Sequence, residues 1–303
     1  HANSILTAGT ADPQATLARP GVLELEDLGL RLRRQQNPAY LSLESARIFM
    51  QPDLSKTVLQ CATYLHIRAQ PALAYLANRI SAKFVDRIAT TFPECASALG
   101  PKATMTGTPL RPSLFQGSRE KGLALSDLPG EKPVLLMTGG SLGAQSVNAC
   151  VRACLPLLLP HMEVLHLCGR GNLDATLNGL TGYAQVEFLN EEMADALAAA
   201  DIVLSRAGSN TLSELLALCK PMLLVPYPLG AGRGDQIENA RSFEKQGLAR
   251  VLPQERMNPE TMTEALLSLL KDRAALREAL TAYPVKDGTD AVLEMIEAVQ
   301  RKR

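Results

Sequence analysis

No Cys-x-x-Cys pair occurs among the six cysteines of this 303-residue chain (Cys61, Cys95, Cys150, Cys154, Cys168 and Cys219), and most stand among apolar or small residues. That argues against a zinc site and a disulfide framework, and predicts reduced core thiols of a cytosolic protein. No apolar run reaches the ~18 residues of a spanning helix. The opening HANSILTAGT lacks the basic and apolar regions of a secretory signal, so none is expected. There is no internal repeat and no low-complexity tract. Neither sign of charge prevails, 31 Lys and Arg standing against 31 Asp and Glu. Nucleic acid is therefore not expected as the main partner. What is present is ordinary globular composition, 46% hydrophobic and 20% charged, which excludes a disordered chain. The length suits about two domains.

The charge is unevenly placed. Residues 1–115 hold 12 basic against 8 acidic residues, and residues 116–303 hold 19 against 23. A mildly basic first part suits a phosphate or a lipid headgroup; an imbalance this small is equally what chance produces. The cluster Arg31-Leu32-Arg33-Arg34 and the apolar stretch Ala46-Arg47-Ile48-Phe49-Met50 are the candidate surface for an anionic membrane.

From residue 133 short apolar runs alternate with helical patterns. Strands are expected at Val134–Met137, Glu163–Leu167, Val186–Leu189, Ile202–Leu204, Met222–Val225 and Ala249–Leu252. Between them, a helix with Val147, Val151, Cys154, Leu155 and Leu158 on one face is followed by helices at 193–200, 210–218 and 236–246. Near-continuous apolar strands alternating with helices predict a parallel sheet covered on both faces, an α/β doubly wound domain over 133–285. The first 115 residues are shorter than a complete domain of this kind. They offer a first strand at Ser4–Thr7 before a glycine turn, and an interrupted helical pattern over Leu59–Arg87. Segment 116–132, polar with Gly and Pro, reads as a linker. Residues 286–303 read as a C-terminal helix carrying Val292, Met295, Ile296 and Val299 on one face.

Three loops carry chemistry, each running from a strand into a helix. Gly139-Gly140-Ser141-Leu142-Gly143 allows close backbone approach to an anion, although a tight turn needs glycine for its own sake. In Ser205-Arg206-Ala207-Gly208-Ser209-Asn210-Thr211 the last three N–H groups face a phosphate, and Glu214 sits where a carboxylate accepts two ribose hydroxyls. The alternative makes Ser209 or Asn210 a helix cap and Glu214 a capping partner. Gly234-Asp235-Gln236 can bind vicinal sugar hydroxyls or, again, cap a helix. All three loops gather at the carboxyl edge of the sheet, where open α/β sheets bind ligands.

Together the runs GGSLGAQ, SRAGSNTLSELLAL with KPMLLVPYP, and GDQIENARSFEKQG resemble the MurG family. These are the UDP-N-acetylglucosamine:lipid I N-acetylglucosamine transferases of peptidoglycan synthesis, and the likeness is to the Firmicute-type form over about residues 76–285. TGTPLRPSLF resembles the family's stretch at the entry to the inter-domain linker, with Thr108 in place of Asn. The resemblance implies a GT-B architecture of two Rossmann-like domains, the N-terminal one abbreviated. It implies an inverting, metal-independent transfer without cofactor, UDP-GlcNAc as donor, lipid I as acceptor, and a peripheral place on the inner face of the cell membrane. Carried over by motif, Gly139, Gly140, Ser141 and Gly143 approach the diphosphate, and Arg111 lies near the nucleotide. Leu189 meets the uracil through its backbone. Ser209, Asn210 and Thr211 hold the α-phosphate and Glu214 the ribose. Asp235, Gln236 and Asn239 form the GlcNAc side.

The acceptor-side motifs are altered. AGTADPQATLA has no His where the family's opening loop carries one, the second glycine-rich loop is absent, and His66-Ile67 stands where the family has His-Glu. No catalytic base is identified; Asp12 and His66 are candidates, each with a structural alternative. His161 and His166 read as packing or surface residues. A competing reading is a UDP-sugar-binding protein without transferase activity of its own, or one that needs a partner chain for its acceptor half. A UDP-GlcNAc 2-epimerase-like enzyme on the same fold is a third.

Overall fold

The computed structural model of the chain describes residues 46–49, 58–61, 82, 85–139, 144–229 and 234–300. The chain forms two compact units, residues 1–111 with 287–303, and residues 112–286.

The first unit contains β1 (Ala46–Phe49), β2 (Val58–Cys61), β3 (Arg87–Thr90), α1 (Pro93–Leu99) and β4 (Ala103–Met105). They form a sheet in the order β1-β2-β3-β4, antiparallel between β1 and β2 and parallel elsewhere. The helical pattern read from Leu59 thus begins in a strand. Ala46–Phe49, part of the stretch read as a candidate membrane surface, is likewise a strand, registered on Val58–Cys61. The stretches holding Ser4–Thr7, Asp12, Arg31–Arg34 and His66 lie outside the described residues.

The second unit opens with a 3-10 turn (Pro112–Gln116) and α2 (Arg119–Ser126). It continues as β5 (Val134–Thr138), α3 (Gln145–Leu158), β6 (Glu163–Leu167), β7 (Tyr183–Val186), α4 (Met193–Ala199) and β8 (Ile202–Ser205). Then follow α5 (Ser209–Ala217), β9 (Met222–Leu224), α6 (Asp235–Lys245), β10 (Arg250–Val251) and α7 (Pro259–Ala282). The six strands are all parallel, in the order β10-β9-β8-β5-β6-β7. Every residue of β6, β8 and β9 is buried, and all of β5 but Thr138. Burial on both faces is why these strands read as unbroken apolar runs. The apolar face of α3 packs into the main core, with Val147, Val151, Cys154, Leu155 and Leu158 against Leu135, Val164, Ile202 and residues of α7. Cys95, Cys150, Cys154 and Cys168 are buried thiols.

Two further expectations differ from the structure. β7 covers Tyr183–Val186, so Leu189 stands three residues beyond it in the following loop. Segment 116–132 is not an open linker. It contains α2, capped by the Ser118 side chain, and it is fastened to the second unit. Asp195 accepts from the Ser118 N–H (2.7 Å), and Asp201 accepts from Arg119 (3.2 Å) and from the Val134 N–H (2.9 Å). Buried Glu163 accepts from the N–H groups of Gly130, Glu131 and Lys132. The expected C-terminal helix is present as α8 (Thr289–Gln300) and belongs to the first unit. Its Val292, Ile296 and Val299 pack with Ala89 of β3, and the Gly288 N–H donates to the Thr108 carbonyl (3.1 Å).

Candidate functional site

Strand order reverses between β5 and β8: the chain runs outward from β5 to β7, then returns to the other side of β5. In an open parallel sheet, this switch point leaves a crevice outside the carboxyl ends of the strands. The three loops singled out in the sequence follow β5, β8 and the next strand outward, β9. They therefore converge on one edge of one sheet.

Each leads into a helix whose first turn has no side-chain cap. The cap positions are Ala144 for α3, Gly208 for α5 and Gly234 for α6. Gly234 has φ 81°, which favours glycine there. Neither Ser209 nor Asn210 is the cap of α5, and neither Asp235 nor Gln236 is the cap of α6; all four lie inside their helices. The first backbone N–H groups of a helix have no intrahelical acceptor and carry the positive end of its dipole. In α5 the first such bond is made by the Leu212 N–H to the Gly208 carbonyl. The N–H groups of Ser209, Asn210 and Thr211 precede it, and they are the groups an anion would meet. The chain does cap elsewhere: α7 starts in a capping box between Asn258 and Thr261.

Ser209, Asn210, Thr211 and Glu214 are half-buried at the start of α5. Glu214 is the sixth helical residue, beyond the third position where a capping box places its acid. Asp235 and Gln236 are half-buried at the start of α6. The Tyr227 N–H donates to Gln236 Oε1 (3.3 Å), which leaves the side-chain NH2 of Gln236 as the group with bonds to give. Gly139 is buried at the end of β5, and Leu189 is buried in the loop after β7. Gly140, Ser141 and Gly143 lie outside the described residues. Arg111 is the last residue of the first unit before the break at 112, and its buried Nε has no hydrogen-bond partner among the described residues.

Asn239 lies one turn into α6. It is fully buried, and its amide donates to the Ala207 carbonyl (3.0 Å). Through this bond it braces the β8–α5 turn.

Arg206 is the residue that reading by motif overlooked. It is buried at the end of β8, and Nη1 donates to the carbonyls of Val225 (3.0 Å) and Pro226 (3.3 Å). The guanidinium lies over the Tyr227 ring, 4.1 Å from its centroid. Burial pulls its pKa below the ordinary arginine value, against the opposing influence of Tyr227. The only signal in the sequence was an arginine lodged between a strand and a glycine turn.

His166 is fully buried in β6 and serves packing. Asn148 donates through Nδ2 to the Cys168 carbonyl (2.7 Å), so its Oδ1 faces His166 Nε2 (3.1 Å) as acceptor. His166 Nδ1 then accepts from the Tyr183 hydroxyl (3.0 Å). Burial, followed by the Arg152 charge, pushes the imidazole pKa down to about 3.

Comparison with known proteins bears on this edge of the sheet. The model of the glycosyltransferase family 28 C-terminal domain matches residues 134–292. The UDP-N-acetylglucosamine–N-acetylmuramyl-(pentapeptide) pyrophosphoryl-undecaprenol N-acetylglucosamine transferase of Geobacillus thermodenitrificans is 44% identical over 75% of this chain and 64% of its own length. The transferase of the same name from Clostridium kluyveri is 44% identical over 73% and 63%. The chain thus spans less than two thirds of the length of either relative. Among solved structures, Acinetobacter baumannii MurG matches with a TM-score of 0.59 at 22% identity, covering 80% of this chain and 66% of that one. The last likeness is one of fold.

Proposed function

The chain belongs to glycosyltransferase family 28, and from that premise we propose that it holds UDP-GlcNAc at the carboxyl edge of its six-stranded sheet and transfers the sugar to a lipid-linked muramyl-pentapeptide acceptor. The observation that carries this reading is the junction of β5, β8 and β9, where three strand-to-helix turns converge and α5 begins without a side-chain cap. In the reaction an acceptor hydroxyl attacks the anomeric carbon and gives its proton to a general base, for which Asp12 and His66 are the candidates; the bond from that carbon to the phosphate oxygen breaks, and UDP departs with its electron pair, leaving the sugar with inverted configuration. Negative charge grows on the diphosphate as the bond breaks. The N–H groups of Ser209–Thr211 would stabilise that charge, being fixed before the reaction begins. Glu214 would fix the ribose through charged hydrogen bonds, and the NH2 of Gln236 would donate to a sugar oxygen.

The acceptor chemistry also implies work at an anionic membrane surface on the inner face of the cell membrane. The basic cluster Arg31-Leu32-Arg33-Arg34 in the sequence supports this. Among the described residues no helix is long and apolar enough to cross a membrane.

The test is UDP release from UDP-GlcNAc with and without a lipid I analogue. Acceptor-dependent release is expected. Tight binding of UDP-GlcNAc with no release would instead establish a UDP-sugar-binding protein that does not transfer alone.

A further inference from the structure

Three contacts around Arg206 close into a ring. From the β8–α5 turn, the Arg206 guanidinium grips the carbonyls of Val225 and Pro226 at the end of β9 and lies on the face of Tyr227. From that same loop, the Tyr227 N–H holds Gln236 at the start of α6. From α6, Asn239 returns to the carbonyl of Ala207, the residue after Arg206. The ring joins the turn that leads into Ser209–Thr211 with the helix start that bears Gln236. A planar guanidinium suits this place because one of its NH2 groups donates to both carbonyls while its flat face stacks on the ring, and a compact lysine ammonium has no such face to stack. Its Nε is buried without a partner among the described residues. Such a group is costly to maintain, and it marks the arginine as held for its shape.

We propose that Arg206 is a positioning residue that couples the nucleotide end of the site to its sugar end. It touches neither ligand; it sets the β9–α6 loop, and through Tyr227 it sets the amide of Gln236. This rests on the reading of the site as one for UDP-GlcNAc. Loss of Arg206 should then weaken recognition of the sugar more than recognition of the nucleotide.

The experiment is a double-mutant cycle on the full chain, with UDP and UDP-GlcNAc titrated separately by calorimetry. In Arg206→Lys the Kd for UDP should change by less than about threefold while that for UDP-GlcNAc rises about tenfold. Gln236→Ala alone should give a similar rise for UDP-GlcNAc, and the two changes together should cost no more than either. Tyr227→Leu, which removes the stacked ring and its hydroxyl but keeps the backbone N–H to Gln236, serves in the same cycle if Arg206→Lys does not fold. Equal weakening of both ligands alongside a lower Tm would show a purely structural arginine. Additive effects of the two substitutions would likewise overturn the coupling. If the unmodified chain binds neither ligand, the proposed function falls and this inference falls with it. If it binds both and the cycle is additive, only the inference falls.

Discussion

At the scale of single residues, two carboxylates and one histidine show how position decides a role. Glu163 is buried and spends its oxygens on three backbone N–H groups. Glu214 stands on the half-buried flank of α5, past the reach of any cap. Glu214→Ala should therefore weaken UDP binding by about 1.5–3 kcal/mol for each charged hydrogen bond lost, with little change in the Tm of the free protein. Calorimetric titration checks it, and unchanged affinity would leave Glu214 outside the ligand. The pH dependence of stability belongs to His166. Its folded pKa of about 3 lies below the ordinary 6.5. Between those values the unfolded chain binds a proton that the folded chain refuses. The stability it contributes is complete above pH 6.5 and is lost as pH falls toward 3, at up to about 1.4 kcal/mol per unit. Between pH 7 and pH 5 the parent protein should lose about 2 kcal/mol more than His166→Gln in urea unfolding. Parallel losses would remove His166 from the account.

At the scale of elements, the helix that the sequence concealed makes the sharpest prediction. In α2, a Cβ on Gly122 would stand 2.2 Å from the Asp195 carbonyl oxygen and 2.8 Å from the Ala199 Cβ. Backbone is what it would meet, so α2 would have to lift from α4. Gly to Ala inside a helix ordinarily gains about 1 kcal/mol. Here the overpacking cost of about 1–3 kcal/mol should win, and Gly122→Ala should lower the urea midpoint with an unchanged slope. A raised midpoint would mean that α2 does not lie close against α4. The same glycines explain why this segment reads as a linker: Gly117 and Gly122 look like breakers, whereas their use is close approach to α4. The strands β5, β6, β8 and β9 are legible because burial on both faces leaves them apolar without interruption. β1 and β2 are not, being four residues each and defined by their pairing more than by any period. The three strand-to-helix loops are legible because each carries glycine where an apolar run ends and a helical pattern begins. The parts played by Arg206 and Asn239 are not, because their partners lie 19 and 32 residues away.

At the scale of the whole molecule, the chain crosses from one unit to the other at residue 112 and returns at 287. The main core, from Leu135 to Leu276, lies wholly inside the second unit. So do the turns after β5, β8 and β9, and the whole of the ring around Arg206. A cut at 116 would remove Leu114, a buried residue of that unit. A fragment ending at 303 would carry α8 without β3, leaving Val292, Ile296 and Val299 uncovered. The fragment 112–286 avoids both faults. It should unfold cooperatively and keep most of the full chain's affinity for UDP, with some loss if Arg111 contributes. It should release no UDP in response to a lipid I analogue, because catalysis requires the attacking hydroxyl to be held about 3–3.5 Å from the anomeric carbon. Titration of the fragment and of the full chain, side by side, decides the point. A fragment that folds with native-like cooperativity but binds UDP a hundredfold more weakly would show that the nucleotide site is not contained in the second unit.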